Sequence, residues 1–169
     1  MELSGFPVSP IATSEPTIRG LVAAVEDPEL PVRLSDLGVL RSVAFDGERV
    51  IVRLRATRIG CPGRHEMARR VRAAVTSVDP DRVTEIVWDN EQWSLDDVSP
   101  RGRAALAEFG HVSQAGRDMH CPYCDSVNVE RVSEFGGTLC SRPFMCRGCG
   151  SPFAALVSLE GELSKDGEQ

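Results

Sequence analysis

The sequence predicts an α+β fold: a small helix-hairpin-helix-strand-helix domain with a C-terminal zinc ribbon. Three observations predict it. Apolar residues recur at helical spacing in separate segments, two alternating runs flank an Asp46-Gly47 turn, and four cysteines fall into two CxxC pairs near the end.

Residues 1–13 carry Gly, Pro and Ser without periodicity and read as a flexible tail. Ser14 is placed to cap a first helix with Pro16 in its first turn. Ile18, Leu21, Val22 and Val25 share one face of that helix. Asp27-Pro28-Glu29-Leu30-Pro31 ends it, because each proline removes a donor and disfavours helix before it. Strands are expected over 37–45 and 49–57, joined by the Asp46-Gly47 hairpin. Gly60-Cys61-Pro62 opens a second helix with an apolar stripe of Met67, Val71, Val75 and Val78. A strand over 82–88 follows Asp79-Pro80-Asp81. Ser99-Pro100 starts a third helix that runs to Gly110, with Leu106 and Phe109 facing inward. The helices are expected to lie against a mostly antiparallel sheet. This organisation places the main domain over 14–110, a linker over 111–119, the ribbon over 120–160 and a polar tail over 161–169.

Aromatics supply only 5% of the 169 residues, so the core must be built from Val, Leu, Ala and Ile. A formal charge of −6 argues against a dedicated nucleic-acid binder, which needs a basic face. Between Arg117 and Gly150, Arg117, Arg131, Arg142 and Arg147 are matched by Asp118, Asp125, Glu130 and Glu134, which lowers a nucleic-acid-binding ribbon to an alternative. No segment has the pattern of a signal peptide, and no apolar run reaches the roughly 20 residues that span a bilayer. A cytoplasmic protein with no membrane partner is expected. In a reducing compartment, paired cysteines read as metal ligands rather than disulfides.

Cys121, Cys124, Cys146 and Cys149 are the expected ligands. Each CxxC turn points two sulfurs at one centre, and two turns separated by 21 residues complete a tetrahedron. Gly148 and Gly150 suit the positive backbone torsions of such turns. About forty residues cannot hold a core alone, so the metal must contribute most of the folding energy. Zinc is the expected ion, and a rubredoxin-like iron centre has the same donor set. Cys140 falls outside the quartet, either as a buried thiol, as a thiol behind the ligands, or as one offered to a partner's metal. His120 is not needed once four cysteines fill the shell.

Cys61 stands alone at a strand-to-helix junction. Helix-end amides, Arg58, Arg64 and His65 would favour its thiolate, which is the nucleophilic and metal-binding form. One cysteine cannot hold an iron–sulfur cluster, so a cluster there must be shared with a second protomer or a partner, or held weakly. A thiol-dependent enzyme with His65 as base is the alternative, although no orienting carboxylate is evident.

Asp27-Pro28-Glu29, Asp36-Leu37-Gly38 and Thr57-Arg58-Ile59-Gly60-Cys61-Pro62 resemble the DPE, DLG and TxxGCP signatures of a domain associated with iron–sulfur cluster assembly. Ser133-Glu134-Phe135-Gly136-Gly137-Thr138-Leu139-Cys140 and Cys149-Gly150-Ser151-Pro152-Phe153 follow it. The combination resembles the D subunits of phenylacetyl-CoA 1,2-epoxidase (phenylacetate-CoA oxygenase) systems. Asp89-Asn90-Glu91-Gln92 before Trp93, and Gly63-Arg64-His65, depart from the pattern. The resemblance implies a non-catalytic accessory subunit of aromatic-acid catabolism, with a structural zinc and a transient iron–sulfur cluster. Its implied partners are the other oxygenase subunits, above all the iron–sulfur reductase, and a second copy of the chain. Cys61 would be the transient ligand, Asp36 and Thr57 would shape its pocket, and Glu29 and His65 would assist.

Overall fold

The computed structural model describes residues 14–58, 60–113, 119–134 and 136–156. Both expected tails and residues 114–118 of the expected linker lie outside them.

Helix α1 (Glu15–Ala23) buries Ile18 and Val22 completely. Ser14 begins it through its carbonyl, which accepts the Thr17 and Ile18 amides, while its hydroxyl lies 2.8 Å from that of Thr17. Strands β1 (Leu40–Asp46) and β2 (Arg49–Arg55) pair antiparallel around the expected turn, where Gly47 has φ +56°. Helix α2 (Arg64–Thr76) then carries the chain back, and β3 (Val83–Asp89) runs parallel to β2. The sheet order β1-β2-β3 is therefore mixed rather than mostly antiparallel. A helix between two strands is the connection that parallel pairing requires.

Several expected boundaries move, each for a local reason. β1 begins at Leu40 because Asp36-Leu37-Gly38 forms a turn in which Gly38 has φ +71°. A Cβ at Gly38 would lie 2.5 Å from the Asp97 carbonyl oxygen, so only glycine fits. α2 begins at Arg64, with Gly63 rather than Pro62 at its start, and ends before Val78. Helix α3 (Pro100–Glu108) is capped by the Ser99 hydroxyl, which accepts the Gly102 amide. Gly110, at φ +67°, ends it as expected. Leu106 is buried, but Phe109 is 56% exposed, correcting the expected inward face.

A short 3-10 turn, Leu95–Asp97, was not expected. Its Ser94 and Asp97 cap one another, and Asp97 also accepts Arg55 at 3.1 Å and Arg41 at 3.2 Å. Arg55 is 5% exposed and pairs with Glu91 as well, so its buried charge is neutralised from two sides. Trp93, 2% exposed, donates its indole N–H to the Leu37 carbonyl at 2.7 Å.

The ribbon is a four-stranded sheet in which β4 (His111–Val112), β7 (Pro152–Leu156), β6 (Ser141–Cys146) and β5 (Val129–Arg131) lie side by side. β4 lies at the start of the segment read as a linker and pairs parallel with β7. β6 carries Arg142 and Pro143 in its first half, which hid it from the alternation pattern. The main core runs from Ile18 to Leu106 and takes in Cys140 and Leu156 from the ribbon, with Val50, Val52 and Leu54 of β2 fully buried inside it. The ribbon's own core is small: Val112, Met119, Cys121, Cys146, Phe153 and Ala155. No helix among the described residues is long and apolar enough to cross a membrane.

Candidate functional site

The two CxxC knuckles are built alike. The Asp125 amide donates to the Cys121 carbonyl and the Gly150 amide to that of Cys146, both at 2.9 Å. Each bond closes a turn whose last residue is left-handed, at φ +60° for Asp125 and +76° for Gly150. Gly148 does not use a positive torsion. It is small because a Cβ there would lie 3.0 Å from the Ser126 hydroxyl oxygen.

The four sulfurs lie within 4.8 Å of one another, with Cys121 and Cys149 3.7 Å apart and Cys124 and Cys146 3.6 Å apart. A zinc ion bonded to four sulfurs at about 2.3 Å has tetrahedral edges of roughly 3.8 Å, so the spacing fits zinc. It is far from the roughly 2.05 Å of a disulfide. Amides of Tyr123 and Gly148 point at the Cys121 and Cys146 sulfurs, at 3.5 and 3.3 Å. Hydrogen bonds from the Ser151 side chain and amide draw the Cys149 thiol down to about 6. Cys124 accepts the Ser126 amide, which favours its thiolate, yet the crowded sulfurs of Cys149, Cys146 and Cys121 push it up to about 12. Four thiolates packed this closely need a cation. His120 turns to Asp125, with its Nδ1 3.0 Å from the carboxylate, and stays outside the quartet.

Cys61 lies between β2 and α2, half-buried. The Gly63 amide and the Thr57 hydroxyl favour its thiolate. A Cβ on Gly63 would meet Pro28 at 3.3 Å and the Cys61 sulfur at 3.5 Å, so the Asp27-Pro28-Glu29 loop borders the thiol. Asp27 shapes that loop, because its Oδ1 accepts the Glu29 amide at 2.8 Å and the Leu30 amide at 3.0 Å. Burial raises the Cys61 thiol above its ordinary value, and Glu29 and Asp27 raise it further, against the Gly63 and Thr57 bonds. The expected thiolate-stabilising field is therefore reversed. Arg64 lies 4.4 Å over the Trp88 ring, and His65 is exposed and not among the groups that hold the thiol.

Asp36 does not shape the Cys61 pocket as expected. It accepts the Ser99 hydroxyl at 2.9 Å and the Arg101 guanidinium at 2.7 Å, which anchors the start of α3. Beside Thr57, a cleft of about 420 Å³ is lined by Arg58, Arg64, Trp93 and residues 89–92.

Comparisons with known proteins agree with this two-part geometry. Residues 15–88 match the family described as iron-sulfur cluster assembly protein, and residues 108–156 match the PaaD zinc beta ribbon domain. A protein of Escherichia coli (strain K12), provisionally named as the D subunit of 1,2-phenylacetyl-CoA epoxidase, is 32% identical over 145 residues. The match covers 80% of this chain and 88% of that protein. The chain is a member of the PaaD-like family. The chain is also similar to the crystal structure of a domain of unknown function, DUF59, from Bacillus anthracis. That match has a TM-score of 0.50 and 27% identity, covering 54% of this chain and 90% of that one.

For this PaaD-like chain, sequence reasoning found the ribbon quartet and Cys61 but did not place Cys140. Cys140 is 7% exposed and packs within the main core, not the ribbon's own. Its thiol is raised by burial, against the Thr138 hydroxyl 3.2 Å away, and further by Asp27, Glu29 and Cys61. No local signal in the sequence announces that proximity.

Proposed function

We propose that this chain is an accessory maturation factor of a phenylacetyl-CoA epoxidase-type oxygenase. It assists assembly of an iron–sulfur cluster or metal centre in the reductase component, and Cys61 is the thiol that holds the cargo transiently. The observation that carries this reading is the Cys61 setting: a half-buried thiol bordered by Gly63 and the Asp27-Pro28-Glu29 loop, whose burial and neighbouring carboxylates raise it above its ordinary value. Such surroundings disfavour a free thiolate nucleophile, whose pKa must be depressed to react near neutrality. They suit a thiol that gives up its proton when a cation arrives. A single sulfur on the main domain also leaves most ligand positions to the recipient, which favours transfer over storage. The relative's provisional name and the cluster-assembly match to residues 15–88 support the same accessory role. The zinc ribbon is structural in this reading, and the reductase is the partner.

The test is anaerobic reconstitution of the partner reductase with iron and sulfide, in the presence of wild type or Cys61→Ala. Wild type should speed recovery of reductase cluster absorbance and activity, and Cys61→Ala should not. Equal rates with both proteins would remove Cys61 from the mechanism.

A further inference from the structure

Cys140 belongs to the ribbon in sequence, yet it packs into the main core, against which the half-buried Cys61 also lies. The ribbon loop is tied down beside it, because Arg58 donates to the Leu139 carbonyl at 2.8 Å. The Thr138 hydroxyl lies 3.2 Å from the Cys140 sulfur, and the Thr57 hydroxyl favours the Cys61 thiolate. The Asp27-Pro28-Glu29 loop borders Cys61, Asp27 and Glu29 act electrostatically on both sulfurs, and Cys61 acts on Cys140. Both cysteines are free thiols.

Extending the reading of Cys61 as a cargo thiol, we propose that Cys61 and Cys140 form one composite two-thiol site between main domain and ribbon. Bordered by Asp27 and Glu29, it takes a divalent iron ion as substrate. Two thiols completed by oxygen ligands from water or a recipient make a mixed sulfur–oxygen donor set, which suits a cation of intermediate softness. Binding replaces the two thiol protons, which leave to solvent, with two iron–sulfur bonds, and nothing is oxidised. Among the described residues, only the ribbon quartet brings three or more ligand atoms within 4.8 Å of one another. The composite site is therefore open where the zinc site is closed. It offers two sulfurs and leaves the remaining positions to water or to the recipient's ligands, as a site that must release its ion requires. The ribbon then serves the cargo site as well, because its zinc holds the fold that delivers Cys140.

The experiment titrates the zinc-loaded full-length protein anaerobically with cobalt(II), then displaces the cobalt with ferrous iron. Zinc release is followed so that exchange into the ribbon is recognised. Wild type should take up one further ion with thiolate-to-cobalt charge-transfer absorption, and ferrous iron should bleach it. Cys61→Ser and Cys140→Ser should each weaken that binding by about tenfold or more. Dibromobimane, which fluoresces when it bridges two thiols, tests the pair without relying on a variant's folding. It should label zinc-loaded wild type between Cys61 and Cys140, as peptide mapping reads. Cobalt binding unchanged in Cys140→Ser but lost in Cys61→Ser would overturn the composite site and leave the single-thiol reading intact. Binding that needs both sulfurs, with reductase maturation indifferent to Cys61→Ala, would keep the site and remove the maturation role. No bimane bridge and no extra cobalt would overturn the proposal outright.

Discussion

The Arg58 guanidinium donates to the backbone carbonyl of Leu139 at 2.8 Å, joining the segment that leads to Cys61 with the ribbon loop that carries Cys140. The bond crosses between the two family-matched parts of the chain and ends one residue before the second thiol. Arg58→Ala should loosen the loop without unfolding either part. Because the pair is solvent-exposed, the stability loss should be small, about 1 kcal/mol or less. The sensitive readout is alkylation of Cys140, followed by mass spectrometry of the Leu139-containing peptide. Its rate should rise several-fold over wild type, and an unchanged rate would mean that the contact does not dock the loop.

Removing the ribbon metal should unfold the ribbon and spare the main domain. The ribbon core is six side chains, two of them metal-binding cysteines, whereas the main core has its own buried residues on all three helices and the sheet. A strong chelator, or Cys146→Ser, should therefore abolish hydrogen-exchange protection in β5, β6 and β7, with α1 and β2 still protected. Retained protection in β6 after complete zinc loss would show that the metal is not what folds it.

Trp93 combines bulk with a buried bond to Leu37. Trp93→Ala should cost about 3–5 kcal/mol through the cavity it leaves. Trp93→Phe keeps most of the volume but strips the Leu37 carbonyl of its donor, at about 1–3 kcal/mol. Urea denaturation followed by circular dichroism orders the three proteins. If Trp93→Phe matches wild type, the indole N–H contributes nothing to stability.

Asp36 sets a pH dependence. Its bond from Arg101, aided by Ser99 and opposed by burial, holds the carboxyl below the ordinary carboxylate value. A depressed folded pKa contributes stability that is present above the unfolded pKa and lost as pH falls through the folded one. Asp36→Asn should thus lower the thermal midpoint at pH 7, and the gap from wild type should narrow on acidification below the usual carboxylate range. A gap independent of pH would place the effect in packing rather than charge.

Much of the chain was legible because its signals are local. The Ile18 and Val22 face, the Asp46-Gly47 hairpin and the Ser99 cap depend on neighbours a few residues away, and each is found where expected. Phe109 misled because helical spacing cannot tell a last-turn residue facing the core from one past the packed face. The parallel pairing of β3 with β2 was not legible either, since periodicity does not report strand direction. Asp36 misled for a related reason: its partners Ser99 and Arg101 come from another element. β4 and β6 were too short or too polar to alternate, and they exist because β7 pairs with both.

The sequence by itself determined the ribbon quartet, because CxxC spacing builds a chelating turn from adjacent residues and the ion supplies the closure. It also determined that a cysteine stands at the junction after Thr57. Tertiary structure alone decided the surroundings of that thiol, by burying it and bringing the Asp27-Pro28-Glu29 loop beside it, which together outweigh the Gly63 amide. It alone decided that Cys140 lies in the main core, against which Cys61 also packs, since that placement depends on where the ribbon loop meets the first domain. Spacing along a chain fixes what a turn can hold. Which distant groups share one field is fixed only when two packed units meet.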